Sequence, residues 1–407
     1  MRTPGFLFRG LTALLCYAAF SLALIGISNR TAQGGELKEL EAMIGPQDAI
    51  LVVDPEGKAL LEKHANLPLV PASILKIFTT LVAIQHLGID YRFATDFYID
   101  QESNLTIKGH GDPFLISETV EEIAVALSAK TKRLRDIVLD DTYFAQPLEI
   151  PGISSSSRPY DAPNGALCVN FNTVFFKKEG DVFLSAEPQT PLLPLALDRV
   201  KSSGLRRGRI VLSHDENLIP LYAGQLFQHF LRRAGVEFSG NIRLGSVQAG
   251  KDRLLHRHLS PLSMQDMIAR LLDHSSNFTT NQILITAGAM VHGAPGTLEK
   301  GVSTGRAFAR DVLGLKRLRF YEGSGISRQN KITAAEMGKV LEAFFPFRTL
   351  LRKEGRQHYK TGSLAGVSTR AGFIETHEHR YHRFVVMMNS TGKSAEQMTL
   401  RLLDHLD

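Results

Sequence analysis

The sequence predicts a mixed α/β (α+β) fold: an antiparallel sheet flanked by helices, discontinuous in the chain and interrupted by a β-rich insertion. Three observations carry this. "DAILVVDPEGKALLEKHAN" followed by "SILKIFTTLVAIQHLG" reads strand, turn, strand and then a strongly apolar helix. After Tyr91 the texture changes to short alternating runs broken by turn residues. From residue 257 long apolar helical patterns return, and the chain closes with two β runs and a helix. A length of 407 residues exceeds one ordinary core, so more than one domain is expected. The expected division is 1–35 as signal peptide or N-terminal anchor, 36–91 as the first part of the α/β domain, 92–256 as the insertion and 257–407 as the second part.

Each element has a local reason. Residues 36–44 have a helical pattern. The two strands that follow are joined by a turn at Asp54–Gly57. The helix after Ser73 is apolar nearly all round, which predicts burial, and Gly88 is a good residue to end it. Within the insertion, "RFATDFYIDQESNLTIKGHGDPFL" gives short strands, "EEIAVALSAK" a helix, "LRDIVLDDTYF" a strand and "AGQLFQHFLRRAGVEFSGNIRLG" a helix and a strand. "LSPLSMQDMIARLLDHSSNFTTNQILITAGAMVHG" returns to buried helices, and "YKTGSLAGVSTRAGFIETHEHRYHRFVVMMNST" reads as two β runs around a polar turn. "SAEQMTLRLLDHLD" is a terminal helix.

At the N-terminus, Arg2 and Arg9 precede an apolar run from Leu11 to Ile27, the layout of an export signal, with an uncleaved membrane anchor as the alternative. Gly26 and Ser28 are small residues suited to cleavage after Ser28, and Leu15 before Cys16 argues against lipoprotein processing. An exported, periplasmic body is therefore expected. Cleavage would leave Cys168 as the only cysteine and no intrachain disulfide. The net charge of +6 suits anionic partners such as wall polymer or membrane headgroups. No basic run with interleaved aromatics is present, which sets nucleic acid aside.

Three polar clusters stand on apolar ground. Ser73 and Lys76 are the only polar residues between Leu69 and Phe78, and positions three apart share a helix face. A lysine desolvated there can act as a base and activate the serine beside it. Ser275 and Asn277 follow a helical pattern in "HSSN", and Lys360-Thr361-Gly362, followed by Ser363, opens a strand. Alone, each has a plain structural reading as a cap, a snorkelling lysine or a strand start. The ordered set S-x-x-K, S-x-N, K-T-G matches the constellation of the penicillin-recognising serine enzymes. His377, His379 and His382 in "THEHRYHRF" are read as a solvated turn, because no ligand set with zinc-site spacing accompanies them, and no cofactor is expected. Asp112 in "GHGDP" is expected to make turn hydrogen bonds.

The flanks of these motifs resemble the D-alanyl-D-alanine carboxypeptidase/endopeptidase family, the class C low-molecular-mass penicillin-binding proteins. "VPASILKIFTTL" is similar to that family's nucleophile helix, "LTIKGHGDPFL" and "IVLDDTYF" to its inserted domain, "YEGSGISRQNKITAAEM" to its D-G-S-G-L-S-R stretch and "YKTGSLAGVSTRAGFI" to its K-T-G strand. The resemblance implies a β-lactamase/transpeptidase-like fold and a serine carboxypeptidase or endopeptidase acting on peptidoglycan stem peptides, with β-lactams as covalent inhibitors. It assigns Ser73 as nucleophile, Lys76 as its base, Ser275 and Lys360 as a proton relay to the leaving amine, and Asn277, Thr361, Gly362 and Ser363 as substrate-binding residues. The backbone N–H groups of Ser73 and Ser363 would form the oxyanion hole. Three departures stand out: Ser276 in the middle of the second motif, Asn281 where a Glu is usual, and Glu322 before Gly-Ser-Gly. A low-activity or non-catalytic wall-binding protein and a β-lactamase are the competing readings; the large insertion and the lack of an E-x-x-L-N segment argue against the latter.

Overall fold

The computed structural model describes residues 39–406. The expected export signal and the alternative anchor at 1–35 lie outside the described residues. Strands β1 (Asp48–Val53) and β2 (Ala59–Lys63) lead into helix α1 (Leu75–Leu87). Then come β3 (Ala94–Ile99), β4 (Leu105–Gly109), α2 (Ser117–Ser128), β5 (Arg133–Leu134) and β6 (Ile137–Asp140). Strands β7 (Thr173–Glu179) and β8 (Val182–Ser185), helix α3 (Pro194–Ser202), strand β9 (Arg207–Val211) and helix α4 (Leu218–Arg233) follow. After β10 (Glu237–Phe238), β11 (Ile242–Leu244) and β12 (Arg253–Leu259) come four helices: α5 (Met264–His274), α6 (Asn277–His292), α7 (Leu298–Asp311) and α8 (Ala334–Phe344). Strands β13 (Arg352–Glu354), β14 (Gln357–Leu364), β15 (Val367–Glu375) and β16 (Tyr381–Met388) precede helix α9 (Ala395–Leu403).

One antiparallel sheet, in the order β13-β14-β15-β16-β1-β2, joins both ends of the chain. The run "DAILVV" is apolar almost without alternation because β1 is buried on both faces. Ala49, Leu51 and Val53 face a core built with α1, α5, α6 and α8, while Ile50 and Val52 face a second core closed by α9 through Ala395, Met398 and Leu402. Helices α1 and α6 are buried nearly all round, as their sequences predict. Residues 94–259 contribute three further sheets, the largest in the order β11-β6-β4-β3-β12. Their core packs Phe97, Ile107 and Leu139 against α2 and α4 through Ile123, Phe227 and Phe230. This is the mixed α/β arrangement expected. Two expectations are corrected: at the segment carrying Ser73, Ala72–Ile74 forms a 3-10 turn and the α-helix begins only at Leu75, and the two β runs expected near the C-terminus are three strands, because the first folds back at Ala365–Gly366 into the β14–β15 hairpin.

Candidate active site

Because the 3-10 turn runs straight into α1, Ser73 and Lys76 stay on one side, three residues apart. Lys76 is wholly buried. Its Nζ lies 2.9 Å from Ser73 Oγ, 2.8 Å from Asn277 Oδ1 and 2.7 Å from the Ser324 carbonyl oxygen. Burial drives its pKa from the ordinary 10.5 down to about 7; the positive charge of Lys360 pushes the same way, and the Glu322 carboxylate opposes both. A neutral amine has two N–H donors and one lone pair. Asn277 Oδ1 and the Ser324 carbonyl can only accept, so they take the two N–H groups. The lone pair is then left for the Ser73 hydroxyl to donate into.

The turn carrying Ser73 is pinned from both sides. Ala72 sits in the left-handed region with φ 49°, a conformation that costs a side-chain-bearing residue roughly 1–2 kcal/mol. Gly325, with φ 82°, passes so close that a Cβ there would lie 1.9 Å from the Ala72 carbonyl oxygen. On the other side, a Cβ on Gly362 would lie 2.6 Å from the Ser73 nitrogen and 2.4 Å from Thr369 Oγ1. Thr369 donates to the Pro71 carbonyl at 2.7 Å, and the Asn389 side chain holds both backbone groups of Val70 at 2.9 and 3.1 Å. Strained backbone held by its surroundings in this way is typical of sites that must present a group rigidly.

The second cluster sits between two helices. Ser275 ends α5 in the left-handed conformation with φ 57°, and Ser276 caps α6, its Oγ accepting from the Thr279 N–H at 3.1 Å. Asn277 is therefore the first residue of α6. Its Oδ1 meets Lys76 and its Nδ2 donates to the Tyr160 carbonyl at 3.2 Å, which ties α1 and α6 to the segment before β7. The departure at Ser276 is thus a change between good capping residues, since Asp and Asn fill that position as well as Ser does.

Lys360 lies on β14, 3% exposed, and its Nζ donates to the Thr361 carbonyl at 3.0 Å. Burial lowers its pKa to about 8, the Arg352 guanidinium adds to this, and Asp273 opposes it. Strand β13 pairs only with residues 357–359, so among the described residues β14 has no ladder partner on that side from Lys360 onward. Ser73, Ser275, Asn277 and Ser363 line one cleft of about 790 Å³. Lys76, Lys360 and Gly362 are buried behind its surface, and Thr361 is exposed on the same strand.

Residues 34–197 and 217–352 match the D-Ala-D-Ala carboxypeptidase 3 (S13) family. The chain belongs to this serine peptidase family. A D-alanyl-D-alanine carboxypeptidase of Actinomadura sp. (strain R39) is 25% identical over 456 residues, covering 90% of this chain and 84% of that protein. The crystal structure of penicillin binding protein 4 (dacB) from Haemophilus influenzae superposes with a TM-score of 0.73 at 19% identity, over 90% of this chain and 97% of that one. The same Haemophilus protein complexed with a novel β-lactam superposes with a TM-score of 0.67 at 18% identity, over the same shares of the two chains.

In this S13 member the two remaining departures prove to be one arrangement. Asn281 Nδ2 donates to Glu322 Oε2 at 3.2 Å, while Asn281 Oδ1 accepts from the Gly323 N–H at 2.8 Å. Glu322 is fully buried and also accepts from the Ser324 and Gly325 N–H groups at 2.6 and 2.7 Å and from Asn330 Nδ2 at 2.6 Å. That carboxylate shapes the loop whose Ser324 carbonyl receives Lys76. The sequence marked "YEGSGISRQN" only by resemblance; the partner role of the Ser324 carbonyl left no side-chain signal to read. Asp161 was also missed: it is buried and accepts from Ser154 Oγ at 2.7 Å, bracing the serine-rich wall of the cleft. Asp112 does make the expected turn bond, accepting from the Phe114 N–H at 2.9 Å, and its burial pushes its pKa up to about 6. His377 and His379 lie in the turn between β15 and β16, with His379 against Glu375 at 2.8 Å; His382, expected in the same solvated turn, is instead buried within β16, where strand alternation turns it inward.

Proposed function

We propose that this S13 enzyme cleaves D-alanyl-D-alanine-ended stem peptides of peptidoglycan, as a carboxypeptidase and endopeptidase, through an acyl-enzyme on Ser73. The carrying observation is the set of three contacts to Lys76 Nζ, which leaves a neutral amine's lone pair facing Ser73 Oγ. Ser73 Oγ attacks the penultimate D-alanine carbonyl while its proton passes to Lys76. The developing oxyanion is held by the Ser73 and Ser363 N–H groups. Collapse breaks the C–N bond, and the proton that Lys76 took from Ser73 is relayed through Ser275 and Lys360 to the departing D-alanine amine, which leaves Lys76 neutral again and Lys360 still charged. Water then attacks the ester, gives its proton back through Lys76 and releases the shortened peptide. The free side of β14 offers backbone partners for an extended peptide, Asn277 holds its amide, and Lys360 with Thr361 attracts the terminal carboxylate. We read residues 92–256 as an insertion into the catalytic domain, supported by the pairing of β1 with β16 across it. The layout of residues 1–35 supports export to the periplasm.

A β-lactam offers a strained amide beside a carboxylate, so benzylpenicillin should acylate Ser73 and be slow to leave. Intact-mass spectrometry tests this. Ser73→Ala should abolish the adduct in a folded protein, Lys76→Ala should slow its formation by roughly 100- to 10,000-fold, and Asn277→Ala should weaken it less. A folded wild type without adduct would leave only the wall-binding reading, and an adduct lost within seconds would make the protein a β-lactamase.

A further inference from the structure

A second cavity of about 570 Å³ shares Tyr160, Ser275 and Asn277 with the active-site cleft, so the Ser275–Asn277 turn is a wall common to both. Its floor is aromatic: Phe171 meets Phe114 at 5.5 Å and Phe278 at 6.2 Å, both edge to face. A third cavity of about 280 Å³ continues it, sharing Phe114, Phe171, Arg209, Arg270 and His274. Together they make a groove that leaves the active site along the seam between the catalytic helices and the segment around β7.

Phe171 is displayed there by an unusual backbone. Asn170, Phe171 and Asn172 are all left-handed, with φ of 50°, 58° and 52°. Asparagine tolerates this conformation and phenylalanine does not, so the surroundings must enforce it. They do so by hydrogen bonds: Asn170 Oδ1 accepts from the Ser117 N–H at 2.9 Å, and Asn172 Nδ2 donates to the Ser213 carbonyl at 3.0 Å. Backbone strain retained to aim a half-exposed aromatic ring into a cavity points to a ligand. The rim is basic. Arg270 and His274 lie one turn apart on the exposed side of α5, and the Arg270 guanidinium stands 5.9 Å from the Phe114 ring centre. Arg209 is paired with Glu187; Arg270 helps to hold down the pKa of Asp266, one turn earlier on α5, without closing to an ion pair with it.

We infer that this groove is an exosite for a second stem peptide of the cross-linked wall polymer, with Arg270 taking its carboxylate and the Phe114–Phe171–Phe278 floor its small apolar side chains. This rests on the proposed peptidase function and extends it: such an exosite favours cross-linked over single-stranded substrate. A stem peptide fits the chemistry because it alternates methyl side chains with free carboxylates, and the groove offers apolar rings beside an exposed guanidinium that no carboxylate holds within ion-pair distance among the described residues.

Steady-state kinetics of the full chain on a cross-linked muropeptide dimer and on a monomeric acyl-D-Ala-D-Ala peptide test it. Arg270→Glu should raise KM for the dimer about fivefold or more, the scale of losing one rim charge contact. It should leave monomer turnover and benzylpenicillin acylation as in the wild type, and Arg270→Lys should restore most of the dimer KM. Phe171→Ala should raise the dimer KM in the same selective way. An unchanged dimer KM in Arg270→Glu, or equal changes for dimer and monomer, overturns the exosite alone. A folded wild type that benzylpenicillin does not acylate overturns the peptidase reading, and the exosite with it.

Discussion

Two lysines of one chemical type receive opposite tasks from their surroundings. In the proposed mechanism Lys76 loses its proton to accept one from Ser73, and Lys360 keeps its proton to attract a carboxylate. Burial is the main cause that brings Lys76 to about 7 and Lys360 to about 8, and the charge of Lys360 contributes to the lowering at Lys76. The sign follows directly. Below about 7 the base is protonated, and acylation should slow about tenfold per pH unit; above about 8 the carboxylate site loses its charge, and acylation should slow again. The benzylpenicillin acylation rate should therefore peak between these values, with apparent constants that belong to the coupled pair. Lys360→Met should remove the alkaline limb and raise the Lys76 value, because one like charge is gone. A rate that stays flat from mildly acidic to alkaline pH would contradict the assignment.

At the scale of elements, the site depends on where helices and strands begin. Ser276 starts α6 and so sets the position of Asn277. Ser276→Ala should cost about 1 kcal/mol of stability and slow acylation, whereas Ser276→Asp, which keeps the cap, should do neither; thermal melts and intact-mass time courses distinguish them. Strand β14 approaches the nucleophile turn only because Gly362 lacks a side chain. Gly362→Ala forces β14 away from Ser73, since the clash is with backbone and cannot be relieved by a rotamer. It should lower acylation far more than stability, where overpacking typically costs about 1–3 kcal/mol. Normal acylation by a folded Gly362→Ala protein would show that this close approach is not needed.

For the whole molecule, the catalytic parts are gathered by a sheet whose first two strands come from one end of the chain and last four from the other. The β1–β16 register sets Asp48 opposite Met388, next to Asn389, the residue that grips Val70 ahead of Ser73. Helix α9 closes the outer face of that sheet through Leu402, which is fully buried. Leu402→Ala should destabilise the protein by about 2–5 kcal/mol, read as a lower denaturant midpoint, while leaving the acylation rate of the folded fraction unchanged. A change in that rate without a change in midpoint would place α9 in the chemistry instead.

The sequence by itself determined most of the helices and strands, though not the helices at Pro194–Ser202 and Leu298–Asp311, together with the order of the three motifs and their family. These rest on local periodicity and on side chains that occur in small patterns. The desolvation of Lys76 was also legible, because Ile74, Leu75, Ile77 and Phe78 surround it in the chain. What only the tertiary structure decided involves groups brought together from far apart. The Ser324 carbonyl that orients Lys76 is a backbone atom 248 residues away, and no residue type signals it. Asn281 and Glu322 read as two separate departures until folding set them face to face at 3.2 Å. The left-handed run at Asn170–Asn172 was equally hidden, since its strain is imposed by hydrogen bonds to Ser117 and Ser213. Periodicity reports how a segment packs against an interior; it carries no record of which distant backbone group will fill the last hydrogen bond.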